Sequence, residues 1–136
     1  PGDHLESTRA HVVTDLMMRS IHNTDELVVW GTGVAQREFL YIDDAVTGVL
    51  ATLHAPKGEF VNIGTGISTS ILEIARTILQ VQGLDTPIRL DETKPNGQLK
   101  KVMNVEKAKN QLNWTAQTSL ESGLKNTAMW YRQQLK

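Results

Sequence analysis

The 136-residue chain contains no cysteine. A disulfide scaffold, a thiolate zinc site and a cysteine nucleophile within these residues are thereby excluded. The absence of thiols fits a reducing compartment, and a cytoplasmic location is expected. Neither sign of charge is in excess, because 14 Lys and Arg face 15 Asp and Glu for a net charge of −1. A general nucleic-acid binder would carry a basic surplus, so no nucleic-acid partner is expected. No apolar run approaches the ~20 residues that span a bilayer, and no signal peptide is visible. Aromatics are few: three Trp, two Tyr and two Phe. A methionine start is also lacking, since the chain opens at Pro1, which reads as a truncated or processed product. The length suits one domain around one core, with roughly 65–70% of the unfolded surface buried on folding.

The segments present alternate between helix and strand patterns. From Ala10 to His22, apolar Val13, Leu16, Met17 and Ile21 recur at helical spacing. Glu26 to Trp30 is short and β-branched and ends in Gly31-Thr-Gly33, so it reads as a strand and turn. Glu38 to Ile42 reads as a second extended piece. Asp43 or Asp44 then caps a helix with the apolar face Val46, Val49, Leu50 and Leu53, which Pro56 and Gly58 end. Phe60 to Ile63 reads as a buried strand, and Gly64-Thr-Gly66 as the turn after it. Ser70 three residues before Glu73 spells a capping box. The helix it opens has the face Ile71, Ile74, Ala75, Ile78 and Leu79, and Gly83 is its stop signal. Ile88 to Leu90 is a third strand and Thr93 to Gln98 a loop. Val105 to Leu112 is a helix ending at Asn113, which tolerates left-handed geometry. The last helix starts at Ser119 and turns Leu120, Leu124 and Tyr131 inward. The class is α/β, with helices and a few short strands, too few for a self-contained doubly wound sheet.

The chemistry-bearing residues are scattered. Both glycine turns resemble pieces of phosphate loops, but neither completes a dinucleotide fingerprint or P-loop spacing, and a tight turn is the simpler reading. Gly64-Thr-Gly66 sits between strand and helix, where backbone amides meet anions. None of the histidines at 4, 11, 22 and 54 has metal-ligand spacing to a partner, so no metal site is expected. Arg19, Arg37, Lys100 and Lys101 lie on three separated segments. Brought together they would form an anion site suited to a diphosphate; apart, they are solvated surface charges. Trp114 and Trp130 read as packing residues. Trp30, beside a glycine turn, is suited either to packing or to stacking on a base or sugar.

The order of these pieces resembles one family. Pro1-Gly-Asp3, Ala10-His-Val-Val13, Val28-Val-Trp-Gly-Thr-Gly33 and Arg37-Glu-Phe-Leu-Tyr-Ile-Asp-Asp44 look like an extended short-chain dehydrogenase/reductase. Val61-Asn-Ile-Gly-Thr-Gly66, Lys94-Pro-Asn-Gly97, Leu112-Asn-Trp114 and Ser119-Leu-Glu-Ser-Gly-Leu124 are similar to the tail of that family. Among its nucleotide-sugar enzymes the closest resemblance is to the GDP-L-fucose synthases, carried by the His-Val-Val element and by the Lys-Pro-Asn-Gly loop with its Lys pair.

The resemblance implies that residues 1–136 are the substrate-binding part, which takes a GDP-sugar. The part that binds NADP(H) and carries the Ser-Tyr-Lys reduction machinery would precede Pro1, so no cofactor is expected on this chain alone. The complete enzymes epimerise and reduce GDP-4-keto-6-deoxy-D-mannose to GDP-L-fucose, so the isolated chain is expected to be inactive. His11 matches the acid–base histidine of the epimerisation, with its cysteine partner upstream. Val12, Leu16 and Arg19 match residues of the nucleotide pocket, Trp30 and Arg37 match contacts to the GDP moiety, and Lys101 matches a further substrate contact. Thr14 stands where the family usually has proline, Asn96 and Asn104 where it has aspartate, and Asn113 where it has glycine. A homodimer is expected, with the Val61–Ile63 strand as an unpaired edge that invites strand exchange. Two alternatives remain: another nucleotide-sugar epimerase or dehydratase, and a non-catalytic dimerising fragment.

Overall fold

The structure, a computed structural model, describes residue 3 and residues 10–22 and 25–134. His4 and the Pro1-Gly2 pair therefore lie outside the described residues. Among the described residues are five helices: α1 (Val12–His22), α2 (Ile42–Ala51), α3 (Ile71–Gln82), α4 (Glu106–Leu112) and α5 (Leu120–Gln134). Four short strands accompany them: β1 (Leu27–Trp30), β2 (Gln36–Glu38), β3 (Ser68–Ser70) and β4 (Ile88–Asp91). β1 and β4 pair in parallel with Leu27 opposite Ile88 and Trp30 opposite Asp91. β2 and β3 pair antiparallel with Arg37 opposite Thr69.

One core holds α1, α3 and α5 against β1. Leu16 and Met17 of α1, Leu27 and Val29 of β1, Ile74, Ala75 and Ile78 of α3, and Tyr131 of α5 are all essentially inaccessible. The local signals at α3 act as the sequence suggests. The Ser70 hydroxyl accepts from the Glu73 N–H while the Glu73 carboxylate accepts from the Ser70 N–H, a complete capping box. Those Ser70 bonds hold the Glu73 carboxyl below its ordinary pKa. Gly83 closes the helix at φ 69°, and Asn113 closes α4 at φ 49°. Thr14, at the position where proline is usual, is buried and shares a 3.0 Å hydrogen bond with the Tyr131 hydroxyl, joining α1 to α5. Trp114 packs with its indole N–H donating to the Thr47 hydroxyl.

Four expectations need correction. The second extended piece is β2 at Gln36–Glu38, not 38–42, because its partner β3 pairs with those residues. β3 itself, Ser-Thr-Ser, carries little intrinsic strand signal and exists through that pairing. Neither Asp43 nor Asp44 caps α2. Tyr41 occupies that position without a side-chain bond, and Asp44, 6% exposed, turns inward to accept from the Thr118 N–H at 2.8 Å. A tertiary donor wins over the local one. The face Val46, Val49, Leu50 and Leu53 is exposed rather than buried, and Phe60 is 93% exposed. Residues 60–63 form no strand, since a strand needs a neighbour to satisfy its ladder and none is present among the described residues.

Asp44 gives this fold a predictable acid limit. Burial pushes its carboxyl up, but the backbone N–H groups of Thr118 and Gln117 and the Thr118 hydroxyl outweigh that and hold it below the ordinary range. A folded-state pKa below that of the unfolded chain stabilises the fold above about pH 4 and ceases to do so as pH falls through the folded value. Urea unfolding of wild type and Asp44→Asn is expected to differ at pH 7 and to converge only as the pH falls through the folded-state value.

Candidate functional site

Val12, Leu16 and Arg19 are spaced i, i+4, i+7 along α1 and therefore share one face. β1 runs beside them and ends at Trp30. The chain then reverses through Gly31 and Gly33, at φ 68° and 71°, and returns as β2 with Arg37. A loop after β4 closes the remaining side. Its Asn96 carboxamide oxygen accepts from the Thr32 N–H at 2.8 Å and lies near the Thr32 hydroxyl at 3.0 Å. These pieces surround a hollow of about 600 Å³ whose lining includes Val12, Leu16, Arg19, Trp30, Arg37 and Asn96. Its size is typical of small-molecule sites.

Its electrostatics favour an anion. Two guanidinium groups face one carboxylate, Asp15, in the lining. Asp15 accepts from Arg19 Nη2 at 2.6 Å and Nε at 3.0 Å, and the Val28 carbonyl accepts from Nη1 at 2.6 Å. Arg19 is thus held at a fixed pose with two N–H groups left over. Arg37 Nη1 donates to the Gln36 and Gln98 carbonyls at 2.8 and 2.5 Å, which leaves Nε and Nη2 to a ligand. Two smaller hollows, of about 290 and 340 Å³, have no Lys or Arg in their linings. Trp30 is 62% exposed, and the Lys94 ammonium stands 5.6 Å from its ring centroid.

Not every residue singled out from sequence reaches this hollow. Lys101 is drawn beside β2 by its N–H donating to the Gln36 carbonyl at 3.1 Å, but it does not line the cavity, and neither does Lys100. His11 stands at the rim between lining residues Ala10 and Val12, its side chain 86% exposed. Its carbonyl accepts the Asp15 N–H at the start of α1. Asp3 grips it twice, accepting from the backbone N–H at 3.0 Å and meeting ring Nδ1 at 2.9 Å. A carboxylate only accepts, so Nδ1 carries hydrogen and Nε2 is left to face outward. Asp3 is an orienting partner that spacing alone did not reveal.

Glu38 was also missed. One of its carboxylate oxygens accepts from the Thr65 and Gly66 N–H groups at 2.6 and 3.0 Å, and the other from the Met103 N–H at 2.7 Å. The anion at the Gly64-Thr-Gly66 turn is therefore part of the protein. The turn amides in search of an acceptor were the available signal. A dinucleotide pyrophosphate needs free amides at a glycine turn. Glu38 takes the Thr65 and Gly66 amides and Asn96 takes the Thr32 amide, so those three donors are already occupied. Among the described residues no group of three or more His, Asp or Glu could hold a metal ion, and no helix is long and apolar enough to cross a membrane.

The signature of the NAD dependent epimerase/dehydratase family matches residues 1–64. GDP-L-fucose synthase 1 of Arabidopsis thaliana is 38% identical over 136 residues, covering 96% of this chain. The chain is similar to the NAD dependent epimerase/dehydratase family. A GDP-L-fucose synthetase from Naegleria fowleri bound to NADP superimposes with a TM-score of 0.91 at 26% identity, over 99% of this chain and 42% of that one. UDP-glucose 4-epimerase from Thermotoga maritima gives 0.87 at 28% identity, over 100% of this chain and 44% of that one. The chain spans 42% of the length of the Arabidopsis relative. The fold is accordingly a portion of an extended short-chain dehydrogenase/reductase, α/β with few short strands. Where the family usually has aspartate, Asn96 staples the loop to Thr32, and Asn104 accepts from the Glu106 N–H at the start of α4. Both serve as hydrogen-bond acceptors, and Asn96 does so in the lining of the hollow without adding negative charge there.

Proposed function

We propose that the chain is the substrate-binding part, residues 1–136, of a GDP-L-fucose synthase-type enzyme that epimerises and reduces a GDP-4-keto-6-deoxy sugar with NADPH. The observation that carries this reading is the convergence of Arg19, Arg37 and Trp30 with Val12 and Leu16 on one hollow. Guanidinium forks suit the two phosphates, and the exposed indole suits a base or sugar face. Remote grip on the nucleotide positions the sugar ring at the rim, where His11 stands. Epimerisation beside a ketone needs a group that moves a proton, and imidazole does so near neutral pH. In this reading Lys101 contacts substrate only if its side chain swings toward the phosphates. The hydride donor binds to a separate dinucleotide-binding part, and the cell compartment is the cytoplasm.

Two measurements test this. Calorimetry should find GDP bound more tightly than UDP or dTDP, and Arg37→Ala should weaken GDP about tenfold or more through loss of a charged hydrogen bond. Preference for UDP would point instead to another nucleotide-sugar epimerase. The isolated chain should not consume NADPH with the keto-sugar nucleotide, and turnover would refute the division of labour.

The exposed apolar face of α2 with Phe60 favours a second reading, a dimerising fragment. A stable dimer in light scattering, together with no nucleotide binding, would select it.

A further inference from the structure

We propose that Asp15 is an internal counter-ion that sets the charge selectivity of the hollow, favouring the diphosphate diester of a nucleotide-sugar over a free nucleoside diphosphate; this rests on the nucleotide reading above. Asp15 lies in the first turn of α1, where the helix dipole favours a carboxylate, and Arg19 follows it by one turn on the same face. One Asp15 oxygen accepts from both Arg19 Nη2 and Nε, at 2.6 and 3.0 Å. The Asp15 and Arg19 side chains are only 22% and 31% exposed, so salt screens this charge incompletely. Both residues line the hollow, and Arg37 supplies its remaining charge. Two guanidinium groups and one carboxylate leave a single net positive charge in the lining.

A phosphate that reaches Arg19 meets this carboxylate at close range. Asp15 takes two of the guanidinium N–H groups and the Val28 carbonyl a third, which leaves one on Nη2 and one on Nη1. A phosphate oxygen on the remaining Nη2 hydrogen would stand about 5 Å from the Asp15 oxygen, well inside the Debye length. Asp15 therefore repels every ligand phosphate, and the repulsion grows with the ligand's charge. A free nucleoside diphosphate ends in a phosphate whose second ionisation lies near pH 6, so it carries about three negative charges above that pH. A nucleotide-sugar carries about two, because the sugar ester removes that ionisation. Arginines alone would favour the more highly charged free nucleotide, a competitor for the site. Asp15 is fixed one helical turn from Arg19 and offsets that advantage.

The test is calorimetric titration of the 136-residue chain with GDP and with GDP-mannose at about pH 8, where the terminal phosphate is fully ionised. Wild type is compared with Asp15→Asn, and UDP with UDP-glucose replaces the guanosine pair if the chain prefers uridine nucleotides. Asparagine keeps an acceptor oxygen for Arg19 and removes the charge. Circular dichroism confirms folding, and Asp15→Ser repeats the comparison with a shorter neutral side chain. The quantity read is the ratio of the two affinities, in which any change in the pose of Arg19 cancels because both ligands share it. In the variant this ratio should move about threefold or more toward the free nucleoside diphosphate. A smaller shift, or one toward the nucleotide-sugar, would overturn the role of Asp15 while leaving the hollow a nucleotide site. Failure of the wild type to bind any of these ligands would overturn the nucleotide reading and this inference with it.

Discussion

Glu38→Gln is expected to destabilise the fold by about 1.5–3 kcal/mol, although it removes no apolar contact. That is the usual contribution of a charged hydrogen bond, and because the donors are part-buried or exposed no buried-donor penalty is added. Glu38 accepts from three backbone N–H groups on two segments, Thr65 and Gly66 on one side and Met103 on the other. A glutamine offers one acceptor oxygen, so an amide group must face either the turn or Met103, donor against donor. Gly64 could not accommodate a larger neighbour here, since a Cβ on it would collide with the Glu38 carboxylate. The midpoint of urea unfolding measures the loss. GDP affinity measured well below that midpoint should change little, because Glu38 does not line the arginine-bearing hollow. An unchanged midpoint would show that water satisfies these amides equally well.

Ile78→Ala should have an effect of similar size for a different reason, and Phe60→Ser almost none. Ile78 is fully buried in the core shared by α1, α3, α5 and β1. Truncation leaves a cavity among close-packed neighbours at a cost of about 2–5 kcal/mol, which lowers the melting temperature by on the order of 10 °C. Phe60 is larger and just as apolar, but it is already in solvent. Its replacement should leave the melting temperature of the chain unchanged and lower any self-association seen by light scattering. A melting temperature that falls as far for Phe60→Ser as for Ile78→Ala would mean that residue 60 packs against the core.

The contrast between these two residues separates what the sequence carries from what it does not. The caps at Ser70, Gly83 and Asn113 and the buried face Ile74, Ala75 and Ile78 are legible from sequence, because neighbours within one or two helical turns dictate them. The order of motifs also sufficed to indicate the family. The α2 face and Phe60 carry the same kind of apolar signal but stay exposed, and the segment 60–63 stays unpaired, since burial depends on an opposing surface and no local pattern specifies one. Asp44 left the cap of its own helix for Thr118, and Glu38 filled the glycine turn that read as an external anion site. Both choices depend on groups more than 20 residues away. Residue types and spacing thus determined the helices, the ends of α3 and α4 and the supply of cations. Tertiary structure alone decided that Arg19 and Arg37 share a hollow while Lys101 does not line it, because convergence depends on chain reversals at Gly31–Gly33 and after β4 rather than on any property of the side chains themselves.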